Sequence, residues 1–321
     1  APVEMLFGQR MLPVWPLQAE GRLFVGYSGD SLLERGDEVV AIDGEPISER
    51  LELLREYASR SNEASLRKAL RFYGLRTRRD TAEVVRCRAG ACDTLRVATV
   101  PYGSVSPLYD PAQLVQPPFR LLADSVGYIY AGTFSREHLA EVVQTLPRTR
   151  ALIIDLRTYP LNVDGALIAL AGQSLRTEPV VAWQTLHQTL ALPGLFFRQE
   201  QWLDNGFEEG AARCTEPYKG RVILLVDEIT QSNPEFQAMA LQRCPQTLTI
   251  GSPTSGADGD IVWIPLPGQL TSFSGVGTLY PDGTQTQTVG VRLDIEVLPT
   301  AEGLQAGRDE ALERALELAR Q

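Results

Sequence analysis

Two residue types in this chain can carry chemistry if the fold places them well: the serine at position 232 and the four cysteines. Ser232 follows the apolar run 222–226 and opens Ser232-Asn233-Pro234-Glu235, the start of an expected helix. A serine hydroxyl attacks a carbonyl only when a base takes its proton and donors hold the developing oxyanion. A helix start supplies free N–H groups and the positive end of a dipole. The same four residues also read as a capping box with proline in the first turn, which would leave Ser232 only structural work. Both readings stand on these residues alone.

Partners for Ser232 are few, because the chain has only two histidines. His138 falls one turn into an expected helix and reads as a solvated helix residue. His187 falls in an alternating stretch and is the reserve base. Lys219, ahead of the apolar run, reads as a turn cation, and Asp155 with Arg157 reads as a structural ion pair. Cys87 and Cys92 flank Arg88-Ala89-Gly90-Ala91 between two strand-like runs, 83–88 and 92–100, so a cross-strand disulfide is expected, with Cys214 and Cys244 as the second pair. Such pairing implies an oxidising compartment, periplasmic or extracellular. Neither histidine lies near a cysteine in the chain, so no metal site is expected, and no cofactor.

The elements that must position these residues follow from length and pattern. With 321 residues, 44% of them apolar, two domains are expected. Acidic residues outnumber basic ones 40 to 30 and no basic stripe forms, which argues against nucleic acid or anionic lipid as partner. The apolar runs are too short to span a bilayer. Residues 1–20 show no clear period. Residues 22–27 alternate like a strand, 38–42 form another before the tight turn Asp43-Gly44, and 48–75 show helical spacing broken around 59–62. Residues 102–119, rich in proline, serine and tyrosine, read as a linker. Beyond it strands at 126–131, 151–156, 222–226 and 247–250 alternate with helices at 137–145, 163–175 and 233–243, the order of an α/β layered core. Residues 260–298 turn to β-type alternation, and 308–321 form an amphipathic helix. The resulting division is an N-terminal segment 1–20, a β-rich domain 21–101 with a helical insertion, a linker 102–119 and an α/β core 120–321.

The turn-strand-turn unit 36–47, with Gly36-Asp37, Val39, Ile42, Asp43-Gly44 and Ile47, resembles the core signature of PDZ domains. Further on, Gly127-Tyr128-Ile129, residues 152–157 (LIIDLR), residues 222–235 (VILLVDEITQSNPE), then Gly251, Thr254 and Gly256, Leu266-Pro267-Gly268, Asp282-Gly283, Gly290-Val291, Asp294-Ile295 and Val297 resemble the tail-specific protease and tricorn-core family of serine peptidases. The resemblance implies a crotonase-like, ClpP-like α/β core preceded by a PDZ-like domain, with Ser232 as nucleophile and peptide or protein as substrate. It also marks departures. The lysine that serves as base in the tail-specific branch has its place at Ala257. The tricorn-branch base is a histidine ahead of the PDZ-like module, where residues 1–20 contain none, and its glutamate falls at Gln287. The glycine pair that offers an oxyanion donor is replaced within residues 158–162, which leaves the N–H groups of Leu161, Asn162 and Asn233 as oxyanion candidates. Two functions follow: an exported peptidase whose PDZ-like module captures substrate by strand addition, or an inactive scaffold binding peptide or an apolar ligand, as retinoid-binding relatives of this core do.

Overall fold

Alternating and continuous apolar patterns build two different sheets. A computed structural model of the protein describes residues 2–160, 167, 179–186, 196–202, 218–244, 246–259 and 261–321. The chain divides into two units, Ala1–Gln116 with Val297–Arg314, and Pro117–Glu296 with Ala315–Gln321.

The first unit holds a sheet of order β1 (Val14–Ala19), β2 (Arg22–Ser28), β3 (Glu38–Ile42), β4 (Thr81–Arg88) and β5 (Ala91–Ala98), antiparallel throughout, with Glu45–Pro46 folding back on β3. The strand at β3 and the turn at Asp43-Gly44 fall where the pattern predicts. Helices α1 (Ile47–Tyr57) and α2 (Glu63–Tyr73) match the broken helical stretch. The break comes at Asn62, whose side chain accepts the Ser65 N–H at 2.8 Å while the Ser65 hydroxyl accepts the Asn62 N–H at 3.0 Å, so the second helix starts on a complete capping box. Residues before 21 are part of this architecture: β1 pairs with β2, and Arg10–Met11 pairs with Arg76–Thr77 and Val100–Pro101. Cys87 and Cys92 form the expected disulfide across the β4–β5 hairpin. Cys244 is a free, half-buried thiol, and burial pushes it up to about 11. The expected bond from Cys244 to Cys214 is therefore not formed; Cys214 lies outside the described residues.

In the second unit the main sheet runs β6 (Phe119–Leu122), β7 (Val126–Tyr130), β8 (Ala151–Asp155), β9 (Arg221–Val226), β10 (Thr247–Gly251), β11 (Ile295–Glu296). Only β6 is antiparallel to its neighbour; the others are parallel. Parallel strands are covered on both faces, which is why β7 (VGYIY) and β8 (ALIID) are buried at every position instead of alternating. Helices α3 (Leu139–Thr145) and α4 (Asn233–Leu241) pack on this sheet through Leu139, Val142, Ala238 and Met239 against Ile129, Ile154 and Leu224. The expected linker contains a short helix, Pro111–Leu114. The helix expected at 163–175 lies almost wholly outside the described residues. After β11 the chain rejoins the first unit, where α5 (Ala301–Gln305) buries Ala301 and Leu304 against Ala19 and Phe24; α6 (Glu310–Ala319) ends the fold. Among the described residues no helix is long and apolar enough to cross a membrane.

Candidate active site

The carboxyl ends of β8, β9 and β10 meet at the segment that carries Ser232. After β9, Thr230 anchors the connection: its hydroxyl donates to the Leu156 carbonyl at 2.8 Å and accepts the Asp227 N–H at 3.1 Å. From the next strand, the Ser252 N–H donates to the Val226 carbonyl and the Ser255 N–H to the Thr230 carbonyl, both at 3.1 Å. Gly251, with φ 135°, lies so close to β9 that a Cβ there would stand 1.9 Å from the Val226 carbonyl oxygen.

Ser232 itself sits at φ 63°, ψ −121°. A helix cap of the ordinary kind has extended backbone. The conformation found here is that of the first central residue of a type II′ turn, a position dominated by glycine. Holding a serine there costs about 1–3 kcal/mol, and such residues persist only where the surroundings over-determine them. A sharp, strained turn from a sheet strand into a helix is also the device that lifts a nucleophilic hydroxyl out of the backbone. Ser232 is half-buried, and therefore reachable.

Glu235 over-determines this turn. Its carboxylate is fully buried and accepts four hydrogen bonds, from the Thr254 hydroxyl (2.6 Å), the Gly256 N–H (2.7 Å), the Ala257 N–H (3.0 Å) and the Ser232 N–H (3.1 Å). One side chain thus ties the serine turn to the loop after β10. Burial pushes the carboxyl above its ordinary value, with the four donors pulling the other way. Thr254 is held in turn by the Val291 N–H at 3.0 Å, an approach open because Gly290, at φ 97°, has no Cβ to meet the Thr254 hydroxyl at 2.6 Å. Beneath this layer Asp155 accepts from the Arg157 guanidinium (2.6 Å) and the Tyr128 hydroxyl (2.7 Å), so the expected ion pair is present with a third, buried partner. Burial first, then the neighbouring Asp155 carboxylate, pushes the Tyr128 phenol well above its ordinary range.

Of the oxyanion candidates, Asn233 is the first residue of α4, where no intrahelical acceptor exists for its N–H, and its side chain accepts from Gln237 at 2.5 Å. Leu161, Asn162 and the reserve base His187 lie outside the described residues. Ala257 puts a methyl group where a lysine would stand, and its N–H is committed to Glu235. His138 stands in a 3-10 turn just ahead of α3, not within the helix, with Nδ1 taken up by the Ser135 N–H at 3.1 Å and the Ser135 hydroxyl at 3.0 Å. Lys219 is exposed. Gln287 donates to the Ser274 hydroxyl at 2.8 Å. Glu235 and Thr254 hold the Ser232 turn, a role that the sequence pattern does not assign: Glu235 reads there as half of a capping box, and Thr254 enters only through the family resemblance.

The model of peptidase family S41 matches residues 125–297, a stretch that holds Ser232, Glu235 and Thr254. The chain belongs to peptidase family S41, the tail-specific protease family. No curated protein matches the sequence. Among solved structures, mature CPAF complexed with lactacystin is similar at a TM-score of 0.66 and 16% identity over 97% of this chain and 82% of that one. A putative S41 protease from Bacteroides fragilis is similar at 0.53 and 13%, covering 97% and 84%. A putative peptidase from Parabacteroides merdae is similar at 0.52 and 20%, covering 63% of each chain. At these identities the likeness speaks for a shared S41 fold, a mixed α/β architecture of several sheets. Membership of S41 gives the chain a serine-peptidase-like function, with peptide or protein as substrate class.

Proposed function

We propose that this S41 protein is an exported serine peptidase that cleaves peptide bonds with Ser232. The backbone of Ser232 carries the reading: a residue that served only as a cap has no use for the φ 63°, ψ −121° conformation that Glu235 holds in place. In the reaction Ser232 Oγ adds to the peptide carbonyl and loses its proton to a base, while the Asn233 N–H faces the oxyanion. The C–N bond then breaks, the amine leaves with that proton, and water releases the acyl group. His187 is the base to test. His138 is engaged with Ser135, Ala257 has no basic group, and the strand Pro179–Leu186, which ends one residue before His187, runs beside α4. In the same reading residues 120–321 form a crotonase-like core, residues 21–101 a PDZ-like module that captures an extended chain by strand addition, and the Cys87–Cys92 bond supports a periplasmic or extracellular site.

A fluorophosphonate probe tests the proposal. Ser232 labels, and both Ser232→Ala and His187→Ala lose the label, whereas Ser135→Ala keeps it. An intact protein that never labels leaves the second reading, an inactive scaffold for peptide or an apolar ligand, which Ala257 in the lysine position favours.

A further inference from the structure

The first unit's main sheet has two edges, and they are built differently. At one edge, β1 is closed by its own chain. None of its six residues is exposed, Trp15 packs edge-on against Phe72 of α2 at 5.0 Å, and the Arg71 guanidinium lies over the Trp15 ring at 5.3 Å. Helix α5 packs on β1 and β2, and β1 also carries Pro16 at a register break, a device that blunts edges. At the other edge, six of the eight residues of β5 are exposed. It has no proline, no lysine and no bulge, and pairs with β4 in unbroken register from Thr81↔Ala98 to Arg88↔Ala91. Its acidic residue does not guard it, because Asp93 is bound by Arg86 at 2.7 and 3.0 Å.

The register shows which backbone groups are open. Ala89 and Gly90 form a two-residue turn with φ 50° and 82°, so Arg88 and Ala91 are the first hydrogen-bonded pair of the hairpin. Hydrogen-bonded and open pairs then alternate. Cys87 and Cys92 are an open pair, as their Cα separation of 4.1 Å requires, and the Thr99 N–H donates to the Asp80 carbonyl at 2.9 Å in the phase this count predicts. Cys92, Thr94 and Arg96 therefore point their N–H and C=O groups away from β4, towards solvent. The strand is also held straight before any partner arrives: the disulfide fixes its start, and Arg86 and Arg88 tie the hairpin to the buried Asp37 carboxylate at 3.2 and 2.6 Å.

We infer that the protein takes an extended peptide as an added strand on β5, and not on β1, whose faces α2 and α5 cover and whose register Pro16 interrupts. The partner's main chain meets Cys92, Thr94 and Arg96, and its inward side chains, apolar at alternate positions, continue the face on which Leu95 is half-buried and Val97 buried. This deepens the capture step proposed above and rests on it, but it does not depend on the reactivity of Ser232.

The test uses the full chain carrying Ser232→Ala and a fluorescein-labelled peptide of alternating valine and threonine flanked by lysines. Bound probe slows hydrogen exchange at the Thr94 and Arg96 amides. Thr94→Pro removes an outward N–H without touching the β4 ladder and weakens binding about tenfold or more. Arg96→Pro does the same should Thr94→Pro fail to fold. Protection at residues 14–19 instead, binding unchanged in a folded proline variant, or no binding at all overturns the assignment. So does protection that grows with protein concentration in the absence of probe, which would mean that β5 pairs with a second copy. A chain that binds at β5 but never labels at Ser232 removes the peptidase reading and leaves this one.

Discussion

Two buried carboxylates, one in each unit, are stabilised by opposite means. Asp37 is 1% exposed, and burial pushes its carboxyl up, but the Arg88 guanidinium, the Glu34 N–H and Arg86 together pull it below its ordinary value. Among the described residues Glu235 meets no cation: four neutral donors face it, and burial leaves it above its ordinary value. Full charges are long-ranged and forgiving of geometry, whereas neutral donors must each be aimed. Asp37 therefore fastens a hairpin, and Glu235 fixes the backbone angles of a single turn. The two also respond to pH with opposite sign. The contribution of Asp37 is present above its unfolded value and is lost as pH falls through its lowered folded value. The folded state of Glu235 binds a proton more readily than the unfolded chain, so its contribution is present below the unfolded value and falls as pH rises through the raised folded value.

The largest effect that would break this contrast is at Glu235. Glu235→Ala orphans three backbone N–H groups and the Thr254 hydroxyl in a buried site, and costs about 3–5 kcal/mol in denaturant unfolding, with loss of Ser232 labelling. Asp37→Asn leaves Arg86 and Arg88, which reach solvent, to rehydrate in part; it costs about 1–2 kcal/mol and labelling is unchanged. If Asp37→Asn cost as much as Glu235→Ala, the difference between charge pairing and aimed dipoles would be no guide to this protein.

Breaking the Cys87–Cys92 bond with paired serines sharpens the same contrast. The closed loop is short, so the expected loss is about 2 kcal/mol. The loss carries through to Asp37, because Arg86 and Arg88 flank Cys87 in the strand and depend on its register. Acid unfolding should accordingly move to higher pH in the serine variant, while the loss of stability as pH rises through the raised Glu235 value stays where it was.

How much of this was legible depends on the distance in sequence over which each feature is decided. The strand at β3, the Asp43-Gly44 turn and the two helices parted at Asn62 rest on contacts a few residues apart, and the residue types alone name them. Strand β1 is not legible because both its faces are covered, by α2 and α5, which erases alternation, and because Pro16 interrupts it. Glu235 reads locally as half of a capping box with Ser232. Its other partners lie 19 to 22 residues further on, across a strand, where no local pattern reaches. The φ of Ser232 was not legible at all, since nothing in serine's chemistry announces a position that glycine favours.

The smallest expected effect asks the sharpest question, whether Ser232 is strained for chemistry or relaxed as a cap. Ser232→Gly removes the Cβ from a backbone conformation glycine adopts freely, while Ser232→Ala keeps both the Cβ and the strain. On the strained reading, Ser232→Gly is more stable than Ser232→Ala by about 1 kcal/mol and at least as stable as the parent, despite the added entropy of the unfolded glycine chain. On the capping reading Ser232→Ala loses about 1 kcal/mol and Ser232→Gly a few tenths, so both fall below the parent. Denaturant midpoints at constant m-value separate the two, since only the strained reading lets a variant without a nucleophile match or exceed the parent. A gain on Ser232→Gly would mean that the fold gives up stability to keep a hydroxyl in this turn, as the proposed chemistry at Ser232 requires.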